Sequence, residues 1–147
     1  MISQTAEYAL RAIVYLADNE GDPRTTVQIA GATDVPAGYL SKVMQNLSRA
    51  KLVIAQRGMH GGFTLAKEAS KLTILEIVNA VDPVLRIHEC PLRIAAHGKN
   101  LCPLHRRLDD AAAMVEKAFA DTTIDELLAV PRSRKPLCRF PCEPVSK

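Results

Sequence analysis

At 147 residues, with 48% hydrophobic composition and a net charge of +3, the chain has material for one packed domain, or a small domain with an appendage. No run approaches a membrane span, and the N-terminus lacks the basic-then-apolar pattern of a signal peptide. A soluble cytoplasmic protein with no membrane role is therefore expected. The mild positive charge permits nucleic-acid binding without arguing for it.

From Ser3 to Asn19 the pattern is helical, with Ala6, Leu10, Ile13 and Ala17 forming an apolar stripe. Glu7 and Arg11 stand four apart on another face, in the favourable order for an ion pair. Gly21-Asp22-Pro23 ends this element. Thr25 and Gln28 then offer a capping box, opening a short helix through Ile29 and Ala30, and Gly31 to Asp34 reads as a tight connection.

Val35 to Ala50 reads as a helix with two unlike faces. Leu40, Val43, Met44 and Leu47 make one apolar stripe, and Pro36 suits the first turn. The opposite face carries Tyr39, Ser41, Lys42, Gln45, Asn46 and Arg49 and no carboxylate. Such a face can lie against a polyanion and read base edges in a major groove, although taken alone it is better read as an ordinary solvated face. Its context decides. Helix, short turn, helix is the order of a helix-turn-helix, and Tyr39, Ser41, Lys42 and Gln45 are the expected groove contacts.

Residues 52–57 and 63–66 are short apolar runs around Gly58-Met59-His60-Gly61-Gly62, which predicts a β-hairpin wing. Arg57 and His60 at its tip are expected to reach phosphates or a minor groove. Thr73 and Glu76 form a second capping box, starting a helix from Ile74 to Val81 that buries Ile74, Ile77, Val78 and Val81.

Residues 83–102 are irregular, broken by Pro83, Pro91, Gly98 and Asn100, and they contain His88, Cys90, His97 and Cys102. From Pro103 the pattern is helical again. Leu104, Leu108, Ala111, Ala112, Val115, Ala118 and Phe119 form an apolar side suited to close approach of another helix, which points to a homodimer. Thr123 and Glu126 are a third capping box, starting a short helix to about Ala129. Residues 131–147 hold four prolines and five basic residues against one acid and read as an extended or disordered tail. The expected fold class is mainly α with a small β-hairpin. Residues 1–82 form a winged helix-turn-helix DNA-binding domain, followed by a cysteine-containing loop at 83–102. A long dimerisation helix with a short cap helix spans 103–129, and a basic Pro-rich tail spans 130–147.

All four cysteines, Cys90, Cys102, Cys138 and Cys142, fall in the second half. In a reducing compartment they read as metal ligands or redox thiols before structural disulfides. No nucleophile with a recognisable base, no phosphate-binding loop and no credible pair of carboxylates is present, so an enzyme is not expected, nor is a small-molecule substrate.

Four segments together resemble the Rrf-type winged-helix transcription regulators, the family of the iron–sulfur regulator IscR and the nitric-oxide sensor NsrR. They are Ala6-Glu7-Tyr8-Ala9-Leu10-Arg11-Ala12, the run from Ile29-Ala30 through Val35-Pro36, Tyr39-Leu40, Val43-Met44 and Leu47, the wing Arg57-Gly58 with Gly61-Gly62-Phe63, and Cys102-Pro103-Leu104-His105. The match runs from about Ser3 to about Leu128. The resemblance implies a homodimer that reads double-stranded, palindromic operator DNA, a repressor by preference. In many members an iron–sulfur cluster sits in the loop before the dimer helix, here expected as two-iron in preference to four-iron. Members with clusters carry three cysteines there, with five residues between neighbours. Cys90 and Cys102 occupy the outer positions and Ala96 the middle one. His105 stands where IscR-like proteins place a histidine ligand, and Glu7 where some relatives supply a carboxylate from the other subunit. The implied ligand set is Cys90 and Cys102, completed by His105, His97 or Glu7. The alternative is a regulator without a cluster, controlled by thiol oxidation, zinc or a protein partner, since two thiolates and two imidazoles also suit zinc.

Overall fold

The computed structural model describes residues 2–92 and 100–130. Ala96, His97, Cys138, Cys142 and the Pro-rich tail, on which several expectations fall, lie outside the described residues. The order is α1 (Gln4–Asp18), α2 (Thr26–Thr33), α3 (Ala37–Arg49), β1 (Val53–Gln56), β2 (Gly62–Leu65), a single 3-10 turn (Ala69–Lys71), α4 (Ile74–Val81), α5 (Pro103–Ala120) and α6 (Ile124–Leu128). No described helix is long and apolar enough to cross a membrane.

Local chemistry sets most of these boundaries. The Ser3 hydroxyl accepts from the Ala6 N–H to open α1. The Thr25–Gln28 box opens α2, the Thr73–Glu76 box opens α4, and the Thr123–Glu126 box opens α6, each closed in both directions. Helix α2 runs on through Gly31 to Thr33, so the connection into α3 is shorter than the sequence suggests. It is made at Asp34, whose left-handed backbone (φ 54°) turns the chain. The buried Thr33 hydroxyl donates to the Ile29 carbonyl at 2.7 Å, so the helix end brings no unsatisfied group into the core. Pro36 is the capping residue of α3 rather than a member of its first turn. Its carbonyl accepts from Tyr39 and Leu40.

The core is shared by α1, α2, α3, α4 and α6. Ile13, Ile29, Leu40, Met44, Leu47, Leu72, Ile77 and Ile124 are essentially inaccessible. The apolar stripe of α3 is thus spent inward, as its spacing requires. On α4 only Ile77 and Val78 are fully buried, while Ile74 and Val81 pack at the core's edge.

β1 and β2 pair antiparallel in the register Val53 to Leu65 through Gln56 to Gly62. A third partner comes from between α1 and α2. Arg24 and Phe63 exchange both backbone bonds, at 3.0 and 2.8 Å, which ties the hairpin to the helical body. Gly62 makes this approach possible. A Cβ there would stand 2.6–2.8 Å from the Arg24 backbone, at φ +155°.

Helix α6 returns to the N-terminal core. Ile74 N–H donates to the Thr122 carbonyl and Ile124 N–H to the Leu72 carbonyl, so the end of α5 is pinned beside α4. Helix α5 itself buries no residue completely.

Candidate nucleic-acid interface and sensor site

Because Leu40, Val43, Met44 and Leu47 face the core, helical geometry turns Ser41, Lys42, Gln45 and Arg49 to the outside, and all four are exposed. Ser41 donates to the Ala37 carbonyl at 3.1 Å and keeps its lone pairs available. Among the described residues no carboxylate pairs with Lys42, Arg49 or Arg57. This is a strip of donors, acceptors and cations on a rigid helix backed by a packed core, the chemistry needed to meet phosphates and base edges.

Tyr39 stands apart from that strip. Its hydroxyl shares a short hydrogen bond with the Thr5 hydroxyl, and its ring meets Tyr8 edge-on with centroids 5.5 Å apart. The Tyr8 hydroxyl accepts from Gln4 at 2.7 Å, and the Arg11 guanidinium lies 5.7 Å from the Tyr8 ring centre. Tyr39 therefore locks the start of α3 to the start of α1 while remaining 42% exposed. Thr5 and Tyr8 give no warning of this in the sequence, being ordinary helix residues 34 and 31 positions away.

At the wing tip the Gly61 N–H donates to the Gly58 carbonyl at 3.0 Å, closing a tight turn over Met59 and His60. Gly58 has φ +110°, and a Cβ on Gly61 would strike the Gln56 carbonyl at 2.5 Å. Arg57, Met59 and His60 are all exposed there.

The implied metal ligands are arranged unevenly. Cys102 is the capping residue of α5, followed by Pro103 in the first turn, and its Sγ lies 3.2 Å from His105 Nδ1. One helical turn brings the two donors together. A metal held by one thiolate and one imidazole at ordinary bond lengths spans roughly 3.6 Å between S and N, so the pair needs to open by only a few tenths of an ångström. The pair thus fits a thiophilic metal. Cys90 is a buried free thiol in the first half of the irregular loop. Glu7 is engaged within its own helix, accepting from Arg11 at 2.6 Å, while a second Arg11 nitrogen donates to the Thr33 carbonyl at 3.2 Å. Among the described residues no three candidate donors cluster, so Cys102 and His105 are a two-donor fragment of a site.

A feature with no sequence signal holds the loop in place. Arg86 clamps Asp109 of α5 through two parallel bonds of 2.7 and 2.8 Å and reaches Glu116 at 2.8 Å with its remaining arm. The Ile87 N–H adds a further bond to Asp109 at 2.8 Å. The guanidinium, and after it the Ile87 N–H, holds the Asp109 carboxyl well below the usual carboxylate range. The segment leading to Cys90 is thereby fastened to the helix that begins at Cys102.

On its other side α5 leaves Leu104, Leu108 and Met114 exposed at 65%, 51% and 74%. Beside them, Ile2, Ala6, Val78, Leu85, Val115 and Phe119 line an open apolar cleft of about 430 Å³ between α1, α4 and α5.

The family model for Rrf2, described as an iron-dependent transcriptional regulator, matches residues 2–130. A putative HTH-type transcriptional regulator of Aquifex aeolicus (strain VF5) is 32% identical over 133 residues, covering 88% of this chain and 92% of that protein. The HTH-type transcriptional regulator NsrR of Geobacillus kaustophilus (strain HTA426) is 28% identical over 133 residues, covering 86% of this chain and 88% of that protein. Among solved structures, CymR, the global cysteine regulator of B. subtilis, superposes with a TM-score of 0.71 at 25% identity, covering 86% of this chain and 95% of that one. The winged-helix architecture and the resemblance in the sequence thus agree with these relatives, which are regulators and not enzymes. The chain belongs to the Rrf2 family of transcriptional regulators.

Proposed function

We propose that this regulator reads a palindromic operator as a homodimer and acts as a repressor, with α3 in the major groove and Arg57 and His60 of the wing on the flanking backbone or minor groove. The observation that carries the reading is the outer strip of α3, where Ser41, Lys42, Gln45 and Arg49 are exposed while Leu40, Val43, Met44 and Leu47 are buried. Gln45 suits a two-bond contact to an adenine edge, and Lys42 suits phosphate. Tyr39 contributes at the edge of the strip with the capacity its bond to Thr5 leaves free. The second copy is supported by α5, an 18-residue helix with no fully buried side chain and three large exposed apolar ones.

Cys90, Cys102 and His105 are the residues of this chain that would hold an iron–sulfur cluster, with Glu7 of a second copy as a further donor once it leaves Arg11. The iron-dependent character of the family supports this assignment. Such a cluster, when bound, supplies redox chemistry and thiolate bonds sensitive to oxidants and nitric oxide. The chain's own part is mechanical. Arg86 keeps the Cys90 segment against α5, so any rearrangement of the loop is felt by the helix that spaces the two reading heads. Thiol or zinc control without a cluster is the second reading, favoured by the contact of Cys102 with His105 in a chain that has Ala96 at the middle position.

Selection of duplexes from a random pool by the full chain, followed by fluorescence anisotropy, tests the DNA reading. Gln45→Ala relaxes the base preference at one position per half-site, at a cost of about 1–3 kcal/mol on the preferred sequence. Lys42→Ala weakens all sequences and lowers the salt slope by about 1. If neither variant changes binding, α3 is not the reading helix.

A further inference from the structure

The wing carries one residue that the proposed contacts of Arg57 and His60 leave out. Met59 is 97% exposed, more than any other large hydrophobic residue named in the fold. A single exposed apolar side chain is ordinary on a protein surface. The setting of this one is not. The Gly61 N–H to Gly58 carbonyl bond makes Met59 and His60 the two central residues of the tip turn. Both closing residues are glycines, so the tip is as slim as a polypeptide hairpin can be. The wing cannot fold back to cover Met59. Gly61 is already against the Gln56 carbonyl, and Gly62 is wedged on the backbone of Arg24, which itself exchanges two bonds with Phe63. The base is fixed, and the tip projects. Arg57 stands beside it, and residues 57–62 contain no carboxylate.

We propose that Met59 is an apolar wedge that the wing inserts into the minor groove, between two base pairs flanking the half-site read by α3. This rests on the DNA reading above and deepens it. The minor groove is about 6 Å wide, which admits a slim turn but not a helix. An unbranched thioether is flexible enough to slide between bases as they part, and minor-groove proteins use methionine among their wedging side chains. Arg57 supplies a cation for the phosphates that flank the opened step. The consequence is sequence preference without base hydrogen bonds. Pyrimidine–purine steps unstack most easily, so the operator carries a TA or CA/TG step under each wing, beyond the reach of α3.

The test uses the full chain and duplexes selected from a random pool. Bending is read by energy transfer between labelled duplex ends, and unstacking by 2-aminopurine placed in the step under the wing. Wild type and Met59→Leu raise the 2-aminopurine signal and bend the duplex. Met59→Ala and Met59→Gln lose both and bind these duplexes about tenfold more weakly. All four bind a duplex with a stiff A-tract at that step within about twofold of one another. Met59 touches nothing in the core, so these variants keep the fold. The wedge is overturned if Met59→Ala bends, unstacks and binds as wild type does, or if wild type binds selected duplexes with no rise in 2-aminopurine signal. The DNA reading survives either result. If wild type retains no duplex at all, that reading falls and the wedge falls with it.

Discussion

Arg86 and Asp109, 23 residues apart, meet through two parallel bonds of 2.7 and 2.8 Å, and this contact joins the segment before Cys90 to α5. Glu116 adds a third anchor about two turns further along α5. The described residues between α4 and Cys90 form no helix or strand of their own, and a charge-assisted clamp fixes them to α5. With Arg86 in place, Cys90 and Cys102 are both referenced to the same rigid helix.

The clamp makes the acid stability of the fold depend on Asp109. Its carboxyl is held below the usual range near pH 4, so its contribution is fully present above about pH 5. The contribution declines as pH drops past the unfolded value and is lost as pH falls through the depressed folded value. Asp109→Asn removes it. Thermal unfolding followed by circular dichroism from pH 7 to pH 2 is expected to show a lower midpoint for the variant at neutral pH and a shallower loss on acidification. Parallel curves for variant and wild type would show that the clamp contributes nothing.

Leu108 is expected to lie in the contact between copies. Leu108→Asp places a charge where an apolar partner surface is needed, and the dimer is predicted to loosen by about two orders of magnitude or more. Sedimentation velocity reads the change directly. The residue is half exposed in the single chain, so circular dichroism should be unaltered. A variant that stays dimeric at micromolar concentration would move the interface elsewhere.

Gly62→Ala tests how the wing is mounted. The added methyl group would meet Arg24 backbone at 2.6–2.8 Å in a backbone region that alanine rarely adopts. The cost is expected to be about 2 kcal/mol or more, with loss of the Arg24–Phe63 bonds. Chemical denaturation measures the first, and amide exchange at Phe63 the second. An unchanged midpoint would mean that the hairpin shifts freely on the body.

These relationships mark how far the sequence could be read. The three capping boxes, the stripe of α3 and the hairpin around residues 58–62 are local patterns, and each appears where its spacing placed it. Helix α2 runs three residues past Ala30, through the expected connection at Gly31, because tertiary packing carries it on to Thr33. The remaining features are pairings across long separations, which leave no period in the sequence. Tyr39 with Thr5, Arg86 with Asp109, and Arg24 with Phe63 are of this kind. The sequence suggested Tyr39 as a groove contact because it shares a helix with Lys42. Its hydroxyl and ring show that it also fastens α3 to α1. At the candidate metal site, the family resemblance singles out Cys102 and His105 as donors, and the two lie in contact, 3.2 Å apart.

The central proposal is that Cys90, Cys102 and His105 hold a metal site that governs DNA binding by α3. Its most direct test is operator affinity measured on protein purified without oxygen, before and after removal of metal, with iron, sulfide and zinc determined on the same samples. The account predicts iron with stoichiometric sulfide, loss of both in Cys102→Ser, and an operator affinity that changes at least about tenfold, or 1.4 kcal/mol, when they are removed. A metal-free protein whose affinity matches that of Cys102→Ser would contradict it.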